Sequence, residues 1–184
     1  MNSKKIITIP NILSLIRLSM IPYIIWFYVF EDRPIVAAII IVLSGVTDVV
    51  DGSIARKFHM ESDLGKVLDP IADKLTQIAT MVCLVFNFNY ILIPLSLLIV
   101  KEISTGILGL IEVRITKKPT SARWHGKLAT ASLYLMMAFH LFWPSLPKPL
   151  SIALVVLNVI CIMITFILYS MQRLKTITES KIQE

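Results

Sequence analysis

The apolar residues come in six blocks divided by short polar breaks. They cover roughly 11–30, 34–56, 66–88, 90–114, 125–143 and 149–172, each near the ~20 residues a helix needs to cross a bilayer. Two breaks, EDRP at 31–34 and NFNY at 87–90, have room only for tight turns between antiparallel helices. A third, WPSLPKP at 143–149, carries three prolines that stop the preceding helix. The pattern predicts an all-α fold, a polytopic membrane helix bundle with about six transmembrane helices. Residues 1–184 read as a single integral membrane domain, with a polar tail at 174–184 that frays.

Composition agrees. Mean hydropathy is +0.78, and 16% of residues are charged against roughly 25% in a soluble domain. Cys83 and Cys161 sit in separate apolar blocks and read as small buried hydrophobes rather than a disulfide framework. Lys4 and Lys5 precede an apolar stretch too long, and too poor in small residues at its end, for a cleavable leader.

The charges orient the chain. Lys4, Lys5, Arg56, Lys57, Lys66, Arg114, Lys117, Lys118, Arg123, Lys127, Arg173, Lys175 and Lys181 fall on one side, and only Arg33 and Lys148 on the other. Lys/Arg excess marks the cytoplasmic side, so both termini are expected in the cytoplasm. The net charge of +6 is then topology plus attraction to anionic membrane lipids. No soluble domain exists to hold nucleic acid, and none is expected as a partner.

Four aspartates stand where helices are expected to start and end. At mid-helix each would cost about 2.5–3.5 kcal/mol, so they call for a wet cavity, bound cations or ion-pair partners. Asp48 and Asp51 are three apart, and Asp69 and Asp73 four apart, so each pair shares a helix face. Gly45, Gly52 and Ala55 fall near the first pair and leave room for a ligand; Gly65 opens the second helix. Two antiparallel helices would set the pairs opposite one another. An all-oxygen cluster suits Mg2+ or Mn2+ ahead of zinc, and two such ions could clamp the attacking and leaving oxygens of a phosphoryl displacement. Ion pairing with Arg56, Lys66 and Lys74 is the plainer alternative. It explains any one aspartate, but fits poorly with four at this spacing.

The string Asp48-x-x-Asp51-Gly52-x-x-Ala55-Arg56, then Gly65-x-x-x-Asp69-x-x-x-Asp73, fills eight fixed positions within 26 residues. It resembles the signature of the CDP-alcohol phosphotransferases, and the six-span layout fits that family along most of the chain. The resemblance implies that a hydroxyl attacks a CDP-linked lipid and CMP leaves, in a bacterial cell membrane with the site on the cytoplasmic side. It implies that Asp48, Asp51 and Asp69 hold two divalent cations. Asp73 would be the general base and a further metal contact. Gly52, Ala55 and Gly65 would let the CDP moiety of CDP-diacylglycerol approach the backbone, with Asp48 beside it and Arg56 at the diphosphate. A homodimer is the assembly it implies.

For the acceptor, IPNILSLIRLSMIP at 9–22 is similar to the phosphatidylglycerophosphate synthases and the CDP-dependent cardiolipin synthases. Asn11 and Arg17 suit a headgroup phosphate, and Arg17 suits an interfacial anchor equally. Arg114, Lys117, Lys118, Arg123 and Lys127 form a second basic cluster, and ARWHGKLAT at 122–130 is similar to the family's Gly-Lys-x-x-Thr segment. Positive-inside topology alone would also account for Lys117 and Lys118. A phosphorylated acceptor such as glycerol 3-phosphate needs cations of this kind. Arg114, Arg123, Lys127, Asn11 and Arg17 are therefore the expected acceptor-phosphate residues. One departure stands against this acceptor. Lys101 and Gly109 occupy positions where those synthases commonly carry arginines, and lysine does not reproduce a guanidinium fork.

Phosphatidylglycerol, making the chain a cardiolipin synthase, and an inositol phosphate are the other acceptors in the same class. A cation transporter or channel is the alternative of another class, but it would spread its acidic residues through the bilayer instead of gathering them near one face. Glu102 is expected to pair with Lys101, His140 to be a hydrogen-bonded interior residue, and Trp26, Trp124 and Trp143 to lie at the membrane interfaces.

Overall fold

The computed structural model describes residues 9–57, 65–116 and 124–182, which are helical apart from short connections. The helices are α1 (Ile9–Ile25), extended by a π-helical turn at Trp26–Phe30, α2 (Pro34–Lys57), α3 (Gly65–Asn87), α4 (Leu92–Thr116), α5 (Trp124–Phe142) and α6 (Lys148–Ile182). A 3-10 turn, Asn89–Ile91, leads into α4.

By length and hydropathy, Asn11–Phe30, Asn89–Ile115 and Lys148–Thr178 can each cross a membrane, and α2 contributes a shorter apolar stretch, Pro34–Thr47. The protein is an integral membrane protein. The remaining expected spans are diluted by inward-facing polar residues. Gln77 and Thr80 on α3 and His140 on α5 are buried, so those helices hide polarity from lipid inside the protein, as the bilayer demands.

The chain forms two compact units. In the first, α1 packs on both α2 and α3. Ala37, Ala38 and Ala72 are fully buried, and such small side chains let backbones approach where lipid supplies no hydrophobic drive. Leu15, Tyr23, Ile39 and Leu43 remain exposed, the apolar surface a bilayer would cover. The 31–33 connection reverses the chain within three residues. Glu31 N–H bonds the Trp26 carbonyl at 3.2 Å, Arg33 N–H bonds the Phe27 carbonyl at 2.8 Å, and Asp32 takes φ 50°, a conformation that aspartate tolerates better than most residues.

Two side-chain contacts fix how α1 and α3 run. Ser14 bonds Asp69 near their starts, and Asn87 Nδ2 donates to the Tyr28 hydroxyl at 3.1 Å near their ends. The helices are therefore parallel, as two successive reversals require.

In the second unit α4 packs along α6, and α5 joins them through polar contacts. Asn158 Nδ2 donates to Ser132 Oγ at 3.0 Å. His140 Nδ1 faces the Met136 carbonyl at 2.7 Å, so Nδ1 carries the proton and Nε2 accepts from Ser151 Oγ at 2.6 Å. Tyr90 then donates to the same serine. His140 is the hydrogen-bonded interior residue expected from sequence. Cys83 is buried, Cys161 half-buried, and both are free thiols.

At 35 residues, α6 is roughly 50 Å long and outruns the ~30 Å hydrocarbon layer. Residues 174–182, expected to fray, continue the helix to Ile182. Thr176 and Thr178 bond back to the carbonyls of Gln172 and Leu174. Arg173, just before this stretch, is tied to α4.

Candidate active site

Gly65 opens α3 and is buried. From there Asp69, Asp73 and Gln77 follow at four-residue intervals, one above another on a single face. The two carboxylates are half-buried, and Gln77 is 1% exposed. Gln77 Nε2 donates to Asp73 Oδ2 at 2.9 Å, and Ser14 of α1 donates to Asp69 Oδ1.

On α1 the opposing face is Asn11, Ser14 and Arg17, at intervals of three, each 3% exposed or less. Because α1 and α3 are parallel, Arg17 lies one turn beyond Ser14 as Asp73 lies one turn beyond Asp69, at a similar depth. Burial turns Arg17 into the protein, away from the lipid-facing position of an interfacial anchor. Neighbouring Leu15 and Ile16 are the exposed residues.

Asp48, Asp51, Gly52, Ala55 and Arg56 lie on the last turns of α2. Their side chains fall outside the described residues, as does Arg123. Among the described residues no group of three or more His, Cys, Asp or Glu forms a metal centre. What α3 offers is a pair of oxygen donors one turn apart. A carboxylate with one oxygen held by a hydroxyl or an amide can still offer the other to a cation. That donor chemistry fits a hard divalent ion, and Asp48 and Asp51 are the further carboxylates the sequence supplies.

In the second unit, Arg114 lies in the last turn of α4 and Lys127 in the first turn of α5, both exposed. Gly126 permits a close approach there, since a Cβ on it would meet the Tyr169 hydroxyl at 2.5 Å. Lys101 is buried and bonds Glu102 at 2.6 Å, the pairing expected from sequence. Gly109 has the Arg173 guanidinium where its side chain would be. Arg173 Nη1 donates to the Thr105 carbonyl at 2.7 Å, and Nε lies 3.8 Å from the buried Glu112 carboxylate.

Ser14, Gln77 and Arg173 are the residues that sequence reading did not single out. Ser14 and Gln77 carried a signal, since each continues a polar stripe at helical spacing. Arg173 carried none beyond its charge.

The model of the CDP-alcohol phosphatidyltransferase family matches residues 7–169, across both units. The chain belongs to that family. Among relatives of this phosphatidyltransferase, a CDP-diacylglycerol–glycerol-3-phosphate 3-phosphatidyltransferase of Sodalis glossinidius is 34% identical over 143 residues, 75% of this chain and 79% of that protein. The protein of the same name from Salmonella typhimurium is 29% identical over the same shares. A cardiolipin synthase (CMP-forming) of Streptomyces coelicolor is 36% identical over 149 residues, covering 74% of this phosphatidyltransferase but 65% of the relative.

Proposed function

We propose that this protein transfers the phosphatidyl group of CDP-diacylglycerol to glycerol 3-phosphate, giving phosphatidylglycerophosphate and CMP, at the cytoplasmic face of a bacterial cell membrane. The observation that carries the reading is the α3 face, where Asp69 and Asp73 stand one turn apart beside a buried polar face of α1, within a chain of this family. Relatives named for the glycerol 3-phosphate reaction match over most of their own length.

Asp48, Asp51, Asp69 and Asp73 would hold two divalent cations, Mg2+ or Mn2+. When bound, these supply the positive charge that offsets the diphosphate. Asp73 takes the proton of the acceptor hydroxyl, whose oxygen forms a bond to the phosphatidyl phosphorus. The bond from that phosphorus to the bridging oxygen breaks, and CMP leaves with that oxygen. Gln77, donating to Asp73 Oδ2, holds the base in one orientation so that its proton acceptance is directed. Gly52, Ala55 and Gly65 keep the approach of the CDP moiety open beside Asp48, with Arg56 at the diphosphate. Asn11, Arg17, Arg114, Arg123 and Lys127 serve the acceptor's phosphate. Arg173 packs its guanidinium against Gly109 but holds the Thr105 carbonyl and faces Glu112, so the departure at 101 and 109 stands. The acyl chains stay in lipid, which is why the site belongs at the end of membrane helices. A homodimer is the expected assembly.

Purified protein given labelled CDP-diacylglycerol should release CMP with glycerol 3-phosphate and Mg2+ or Mn2+, and not with EDTA. Turnover with phosphatidylglycerol in its place would instead make it a cardiolipin synthase, the reading that the Streptomyces relative favours. Release with an inositol phosphate alone would assign the third acceptor. No metal-dependent CMP release with any acceptor would return the aspartates to a cation pathway.

A further inference from the structure

Ser14 belongs to no part of the motif, yet none of its surface is exposed. Serines in membrane helices commonly bond back to a carbonyl of the preceding turn. Ser19 does so, reaching the Ile16 carbonyl at 2.7 Å from an exposed position. Ser14 directs its hydroxyl to another helix, onto Oδ1 of Asp69, 55 residues away in sequence.

We propose that Ser14 is a positioning residue for a divalent cation at Asp69, holding Oδ1 so that Oδ2 is presented to the ion. This rests on the divalent-cation reading of the site. An ion such as Mg2+ tolerates little departure from octahedral geometry, so a ligand carboxylate free to rotate binds it poorly. A hydroxyl suits the task because it is a neutral donor. It fixes the plane of the carboxylate without competing for its charge, as a lysine or arginine there would. Ser14 is itself fixed, because α1 is fastened to α3 again at the far end through Tyr28 and Asn87.

The test is Mn2+ binding to the purified full chain without nucleotide or acceptor, followed by the paramagnetic resonance of free Mn2+. Ser14→Thr and Ser14→Val have nearly the same volume and differ in the hydroxyl. The Thr variant should bind as wild type does, and the Val variant about 10–100-fold more weakly, the usual loss when the partner of a metal ligand is removed. Equal Mn2+ affinity in the two variants overturns the role of Ser14. Asp69→Asn separates the two claims: if it loses Mn2+ while Thr and Val remain equal, the cation site stands without Ser14. If Asp69→Asn binds Mn2+ like wild type, the cation reading fails and the role of Ser14 falls with it.

Discussion

Arg173 of α6 lays its guanidinium over Gly109 of α4, in the volume a side chain there would fill. One arginine thereby spans the α4 face from the Thr105 carbonyl to the Glu112 carboxylate. Arg173→Gln should cost about 2 kcal/mol, the scale of a charge-assisted hydrogen bond. Gly109→Ala should cost less, because the end of a flexible side chain can move aside and alanine favours the helix interior by about 1 kcal/mol over glycine. Thermal unfolding in detergent checks the order of the two.

Asp69→Asn keeps the shape of the side chain, and Oδ1 remains an acceptor for Ser14. The protein should stay folded while kcat falls on the order of 10²–10³-fold or more, the scale at which single electrostatic contributors act. Undiminished CMP release would remove Asp69 from the chemistry.

Lys127 is exposed at the start of α5, where a cation can meet an incoming phosphate. Lys127→Ala should raise KM for glycerol 3-phosphate about tenfold or more, the value of one charged hydrogen bond, with little change for CDP-diacylglycerol. An equal rise for both substrates would reassign the lysine.

Ser151 is fully buried and receives Tyr90 while donating to His140 Nε2. Ser151→Ala takes a partner from both, so a loss of about 2 kcal/mol is expected. It should appear as a lower unfolding midpoint, while KM for either substrate holds.

The sequence was most legible where the chemistry repeats at helical spacing. Asp69 and Asp73, four apart, had to share a face of α3, and Lys101 beside Glu102 had to be within reach of each other. Ser14 was harder because a serine in an apolar helix has two ways to satisfy its hydroxyl. Ser19 bonds its own backbone at Ile16, and Ser14 reaches a carboxylate on another helix. Arg173 and Gly109 meet only because α4 and α6 pack together, which no local pattern announces. Residues 174–182 continue α6 in spite of their polarity. Its threonines find carbonyls one turn back, a local pairing that polar composition alone does not announce.

The inward-facing stripe on α1 also bears on how the chain is made. During synthesis Asn11, Ser14 and Arg17 emerge before any part of α3 exists, with Asp69 still 55 residues behind Ser14. A guanidinium turned toward lipid is costly, at most about 2.5–3.5 kcal/mol at the bilayer centre, so a nascent chain stopped short of α3 would hold its leading helix less well. The first three helices are therefore expected to enter the membrane as a cooperative group, with the translocon sheltering α1 until α3 reaches it.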